Sequence, residues 1–229
     1  MFKKRIKAIS FDLDGTLIQL TSPHVTIKNF LNAHGLQKST KEVFEALNSI
    51  TSCMDMLKRL DAKSYYINLN KMILEALGVK EKIHELAVSM YEKWFDYANA
   101  ELYSDVEEVL ARLSRIGIIM GVISDNLSNE VQKVLEKEGV VGYFSVIVTP
   151  DISGSFKPDK RIYEEFERRI GVYRSDILHV GDDLKRDYLG ALNAGFNAVL
   201  LDRSKRSFVG VNKIHTLYEL IELVEVANL

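Results

Sequence analysis

Five short apolar runs, rich in β-branched residues, recur at 6–11, 118–123, 144–148, 177–180 and 198–201. A run that is apolar on both faces suits a strand covered on both sides, and strands that alternate with helices build a parallel sheet. Helical stretches lie between and after these runs, at 105–115, 129–138, 158–170 and 184–194, and a closing helix is expected near 217–226. Ser104 and Glu107 have the spacing of a capping box at the first of them. The pattern predicts an α/β fold.

Residues 22–100 have another texture. Ile27, Phe30, Leu31 and His34 fall on one helical face, and Gly35 follows as a stop. Ser39 and Glu42 form a second capping-box pattern, followed by an apolar stripe of Val43, Leu47, Ile50, Met54 and Leu57. A third helix carries Tyr66, Ile73, Leu74 and Leu77; a fourth carries Ile83, Leu86, Ala87, Met90 and Trp94. Four amphipathic helices in succession imply a small bundle. The expected organisation is a Rossmann-like parallel-sheet core from 1–21 and 101–229, with a helical bundle, 22–100, inserted after the first strand.

Composition narrows the function. Thirty basic and 32 acidic residues among 229 give a formal charge of −2, which offers no basic field for nucleic acid and no polybasic membrane patch. No apolar run approaches the roughly 20 residues that span a bilayer. The basic start Lys3-Lys4-Arg5 meets Asp12 and Asp14 before any signal-like apolar region can form, so a cytoplasmic protein is expected. The single Cys53 has no internal disulfide partner and no CxxC spacing. Oligomeric state is not legible in the sequence.

In open parallel sheets, ligands bind beyond the carboxyl ends of the strands. Asp12-Leu13-Asp14-Gly15-Thr16 follows the first apolar run and Ser124-Asp125-Asn126 the second. Ser155-Phe156-Lys157-Pro158-Asp159 follows the third, and Gly181-Asp182-Asp183 through Asp187 the fourth. Each has a plain structural use. Asp14-Gly15 is a common turn pair, Lys157-Pro158-Asp159 suits a helix start, and Asp182, Asp183 and Asp187 suit a first helical turn. Together, in order and at one sheet edge, they point to a catalytic centre. His179 reads as a buried core histidine, His24 as a surface loop residue, and Met90, Tyr91 and Trp94 as one face of the bundle core.

The four segments resemble the four motifs of the haloacid dehalogenase-like superfamily, and the helical insert resembles its cap. The resemblance implies a phosphatase acting on a small phosphorylated metabolite with Mg²⁺. Asp12 would be the nucleophile and Asp14 the acid and base. Ser124, Asp125 and Lys157 would bind phosphate, Asp12, Asp14 (through its carbonyl), Asp182 and Asp187 would form the metal site, and Asp187 would hold a metal-bound water or the lysine. Asp125 stands where relatives often carry Asn. A carboxylate attacking a phosphate dianion meets repulsion of about 4 kcal/mol per charge pair at 4 Å and an effective dielectric of 20, so such a reaction needs nearby cations.

Other activities share these residues. A dehalogenase has no need of an acid two residues after its nucleophile, because halide leaves unprotonated. A phosphosugar mutase needs a hinge that 19–24 does not resemble. A phosphonatase needs a cap lysine, and Lys58 and Lys63 both read as solvated helix charges. A non-catalytic scaffold would not need the full set of catalytic residue types.

Overall fold

The computed structural model describes residues 5–53, 57, 60–206 and 208–227. Met54 and Lys58 lie outside the described residues. The chain divides into two compact units, Leu20–Ala100 and the remainder.

The larger unit is built on a six-stranded parallel sheet. Its strands are β1 (Ala8–Phe11), β4 (Ile119–Ile123), β5 (Phe144–Val148), β6 (Ile177–Gly181), β7 (Asn197–Leu201) and β8 (Lys213–Ile214). They lie in the order β5-β4-β1-β6-β7-β8. Two further strands, β2 (Ile18–Gln19) and β3 (Glu101–Leu102), form a separate antiparallel ribbon. β1 and β6 are buried along their whole length, which is why their sequences show no polar alternation. Phe11 pairs with Val122 of β4 and Val180 of β6, so the residues that follow these strands emerge at one edge. The strand order reverses at β1, making this the topological switch point where a crevice opens. Tyr163, Phe166, Ile177, Phe196 and Leu200 anchor one layer of the core.

Several expectations are corrected by tertiary contacts. The Ser104–Glu107 capping box does not form. Asp105 is the N-cap of the helix Val106–Arg115 without bonding it, because its carboxylate accepts from Arg203 and from the Leu217 N–H. The helix expected from Pro158 starts at Lys160, with Asp159 as its N-cap, and Pro158 follows a cis peptide bond ahead of it. Residues 184–194 open with a π-helical stretch, Leu184–Leu189, before the α-helical Gly190–Asn193.

The smaller unit is helical: Pro23–Ala33, Thr40–Ile50, Ala62–Ala76, Ile83–Glu92 and Trp94–Ala98, with a 3₁₀ turn at Thr51–Cys53. The Ser39–Glu42 capping box is complete, with both reciprocal hydrogen bonds. His24 lies in the first helix rather than in a loop, with Phe44 edge-on to its ring. The backbone leaves helical geometry at Lys93, so Trp94 starts a new short helix instead of extending the face of Met90 and Tyr91.

Candidate active site

At the switch-point edge the chain brings together Asp12, Asp14, Ser124, Asp125, Lys157, Asp182 and Asp187. The loop after β1 is tightly turned: Leu17 and Ile18 both return N–H bonds to the Leu13 carbonyl. Gly15 takes a positive φ of 78°, and a Cβ there would stand 2.6 Å from the Asp182 carboxylate. Glycine is therefore required both by the turn and by the approach of the acid.

Lys157 is the centre of charge. Its Nζ is buried, donating to Asp12 Oδ1 at 2.5 Å and to Asp187 Oδ1 at 2.6 Å. Burial would lower its pKa, but Asp12, Asp187 and Asp125 hold it well above the usual lysine range. Asp125 reaches this lysine through the backbone, its Oδ1 accepting the Lys157 N–H, while its other oxygen faces Arg186. Burial raises the Asp125 carboxyl. Asp187 is held by three groups: Lys157, His179 Nε2 at 3.3 Å and the Asp183 N–H at 2.9 Å. Burial pushes the Asp187 carboxyl up, yet Lys157 and His179 keep it well below the usual carboxylate range. His179 is fully buried, its other ring nitrogen bonded to Ser10, and burial lowers its pKa against the pull of Asp187. Gly181 allows this packing, since a Cβ there would lie 2.3 Å from Asp187 Cγ.

Asp12 and Asp14 differ sharply. Asp12 gives one oxygen to Lys157 and the other to Thr16 Oγ1 at 3.2 Å. Burial raises its pKa well above the usual value, opposed by Lys157 and reinforced by Asp187, Asp14 and Asp182. Asp14 accepts a 2.7 Å hydrogen bond from Asn126 Nδ2 on one oxygen; its other oxygen is buried without a partner among the described residues. Burial lifts its pKa to about 6, against the pull of Asn126 and Lys157. Such a carboxyl can both give and take a proton near neutral pH.

The acidic set has the makings of a cation site. One oxygen each from Asp12, Asp182 and Asp187 lies within 4.8 Å of the others. The Asp182 carboxylate accepts no hydrogen bond from the described residues. Burial raises its pKa, and the charge on Asp187 adds to the effect. Clustered hard oxygens with too little positive charge around them suit Mg²⁺, which prefers carboxylates and retained waters.

Thr16, Asn126, Arg186 and Arg203 were not singled out in the sequence. Thr16 and Asn126 sit inside motif segments, so proximity to Asp12 and Ser124 was the available signal. Arg203 donates to both Asp105 oxygens and to the Thr16 carbonyl, linking segments 98 and 187 residues away. No local pattern announces that link.

The haloacid dehalogenase-like hydrolase family model matches residues 6–195. The glyceraldehyde 3-phosphate phosphatase of Methanothermobacter thermautotrophicus is 28% identical over 206 residues, 86% of each chain. The (S)-2-haloacid dehalogenase of Pseudomonas putida is 24% identical over 233 residues, 96% of each. The crystal structure of a magnesium-bound HAD-hydrolase from Bacillus subtilis superimposes with a TM-score of 0.79 at 16% identity, over 97% of this chain and 100% of that one. With its family model matched over most of its length, its parallel sheet and its acidic strand ends, the chain belongs to the haloacid dehalogenase-like hydrolases.

Proposed function

We propose that this hydrolase is a Mg²⁺-dependent phosphoric monoester hydrolase acting on a small phosphorylated metabolite through an aspartyl-phosphate on Asp12. The observation that carries the reading is the Asp14 carboxyl. An acidic side chain two residues after the nucleophile, hydrogen-bonded to Asn126 through one oxygen, serves a leaving alkoxide and has no use for a leaving halide. The similarity to a haloacid dehalogenase therefore reflects the shared scaffold and nucleophile, not the shared leaving group.

Asp12 attacks phosphorus in line, and the bond from phosphorus to the ester oxygen breaks as Asp14 protonates that oxygen. Lys157 neutralises Asp12 and the phosphoryl oxygens, while Ser124 donates to one of those oxygens. Water then attacks phosphorus as Asp14 takes its proton, and the bond from phosphorus to the Asp12 oxygen breaks, releasing inorganic phosphate and restoring the Asp12 carboxylate. Asp12, Asp182 and the Asp14 carbonyl would hold Mg²⁺, with Asp187 fixing Lys157 or a metal-bound water. The bound ion would offset the repulsion between the attacking carboxylate and the phosphate dianion.

The helical unit is the proposed cap that selects the substrate, and the proposed location is the cytoplasm. In support of the latter, no helix among the described residues is long and apolar enough to cross a membrane. A screen of phosphorylated metabolites with Mg²⁺ and with EDTA, beside halide release from 2-haloacids, tests the function. Phosphate release that EDTA abolishes, without halide release, is the expected result; halide release alone would reverse the reading.

A further inference from the structure

Arg203 follows the end of β7 and reaches the loop that carries Asp12. Its Nη1 and Nη2 donate at 2.9 Å to the two oxygens of Asp105, and Nη2 donates again at 2.9 Å to the Thr16 carbonyl. The guanidinium lies 3.8 Å from the centroid of the Tyr103 ring, and the Tyr103 N–H bonds the Leu17 carbonyl of the same loop. A rigid planar fork can make all these contacts at once, which a lysine ammonium cannot. Thr16 is fully buried, and its hydroxyl donates to Asp12 Oδ2 at 3.2 Å. That distance is at the long end of the hydrogen-bond range, so a small turn of the backbone would break the bond. A β-branched side chain is stiff at χ1, so the Thr16 backbone decides where the hydroxyl points.

We propose that Arg203 is a positioning residue for the attacking carboxylate: by holding the Thr16 carbonyl it aims the Thr16 hydroxyl at Asp12, and so keeps that carboxylate in one orientation beside Lys157. The proposal rests on the proposed nucleophilic role of Asp12. Arg203 acts at one remove, through a peptide and a hydroxyl. It does so from 187 residues further along the chain, outside the four strand-end segments.

The test is a double-mutant cycle between Arg203→Lys and Thr16→Val, assayed with Mg²⁺ present. Single-turnover release of p-nitrophenolate from p-nitrophenyl phosphate, with enzyme in excess, reads the phosphorylation of Asp12 whatever the speed of the later hydrolysis. Thr16→Val keeps the carbonyl and removes the hydroxyl; Arg203→Lys keeps a cation for Asp105 and gives up the fork. A hydrogen bond to a charged group is typically worth about tenfold or more. Each variant should lose about that factor in the rate at saturating enzyme, with the half-saturating concentration little changed. On the Thr16→Val background Arg203→Lys should cost almost nothing more, because no hydroxyl is left to aim. Losses that multiply in the double variant, or a shift in half-saturation alone, would overturn the positioning role. Should Arg203→Lys fail to fold, Arg203→Met combined with Asp105→Asn removes the same donor without leaving a buried charge unpaired, and the same cycle is read. Trapping the phosphoenzyme in the wild type separates the two claims. Label away from Asp12, or no label, would remove the nucleophile and the proposal with it; label on Asp12 with multiplying losses would remove the role of Arg203 alone.

Discussion

Asp14 turns one carboxylate oxygen to Asn126 and leaves the other buried without a partner among the described residues, whereas Asp12, two residues earlier, commits both of its oxygens to Lys157 and Thr16. Two chemically identical side chains in one loop are thereby prepared for different work. In the proposed mechanism the first is the attacking carboxylate and the second the acid and base.

That division makes Asp14→Asn sensitive to the leaving group. An alkyl phosphate expels a basic alkoxide and needs its proton; p-nitrophenyl phosphate does not. Rapid-quench measurement of the phosphorylation burst should show the larger loss on the alkyl ester, within the roughly 10²–10⁴-fold range of acid–base catalysis. Losses that are the same for both esters would contradict the assignment.

The raised Asp14 pKa also has a consequence for stability. A carboxyl moved from the usual 3.8 to about 6 by folding holds its proton more tightly in the folded state. The folded protein therefore loses stability as pH rises between those two values, by about 3 kcal/mol for a gap of about two units. Asp14→Asn, which stays neutral, should gain melting temperature relative to wild type on going from pH 4 to pH 8. A difference that does not vary with pH in thermal unfolding scans would argue against a buried, proton-retaining Asp14.

Lys157 joins two buried carboxylates, and its removal leaves both uncompensated. Breaking such a pair typically costs about 3–5 kcal/mol of stability. Turnover of Lys157→Ala should fall by about 10²–10³ or more if, as proposed, its cation stabilises the transferring group. Lys160, exposed and paired with Glu164, should tolerate alanine. Kinetics and unfolding of the two variants, side by side, check this.

Metal dependence should follow Asp182. Asp182→Asn removes a carboxylate that bonds to no described residue and should raise the Mg²⁺ concentration needed for half-maximal activity strongly. Gly15→Ala, whose methyl would press on the same carboxylate, should do so as well. Asp159→Asn should barely change it, because Asn caps a helix about as well as Asp. Mg²⁺ titrations that fail to separate Asp182→Asn from Asp159→Asn would remove Asp182 from the metal site.

The strands were legible because burial on both faces demands unbroken apolar runs. The acidic segments were legible because parallel strands deliver their following residues to one edge. What stayed hidden depends on contacts distant in sequence. Ser104 and Glu107 have correct capping spacing, yet Arg203 and Leu217 claim the neighbouring Asp105. Asn126 follows a motif serine in the sequence and acquires its partner only when β1 and β4 lie side by side. The π-helical turn that carries Asp187 is held by Tyr163, whose hydroxyl donates to the Arg186 carbonyl, and helical periodicity could not distinguish it from an α-helix.

The most direct measurement is a rapid-quench experiment that traps the phosphoenzyme from ³²P-labelled substrate and maps it by peptide sequencing. Label on Asp12 in the wild type, accumulating further in Asp14→Asn where water lacks a base and absent from Asp12→Asn, is the expected result. Phosphoenzyme formed by Asp12→Asn, or turnover with no covalent species at any time point, would contradict a phosphatase that works through Asp12.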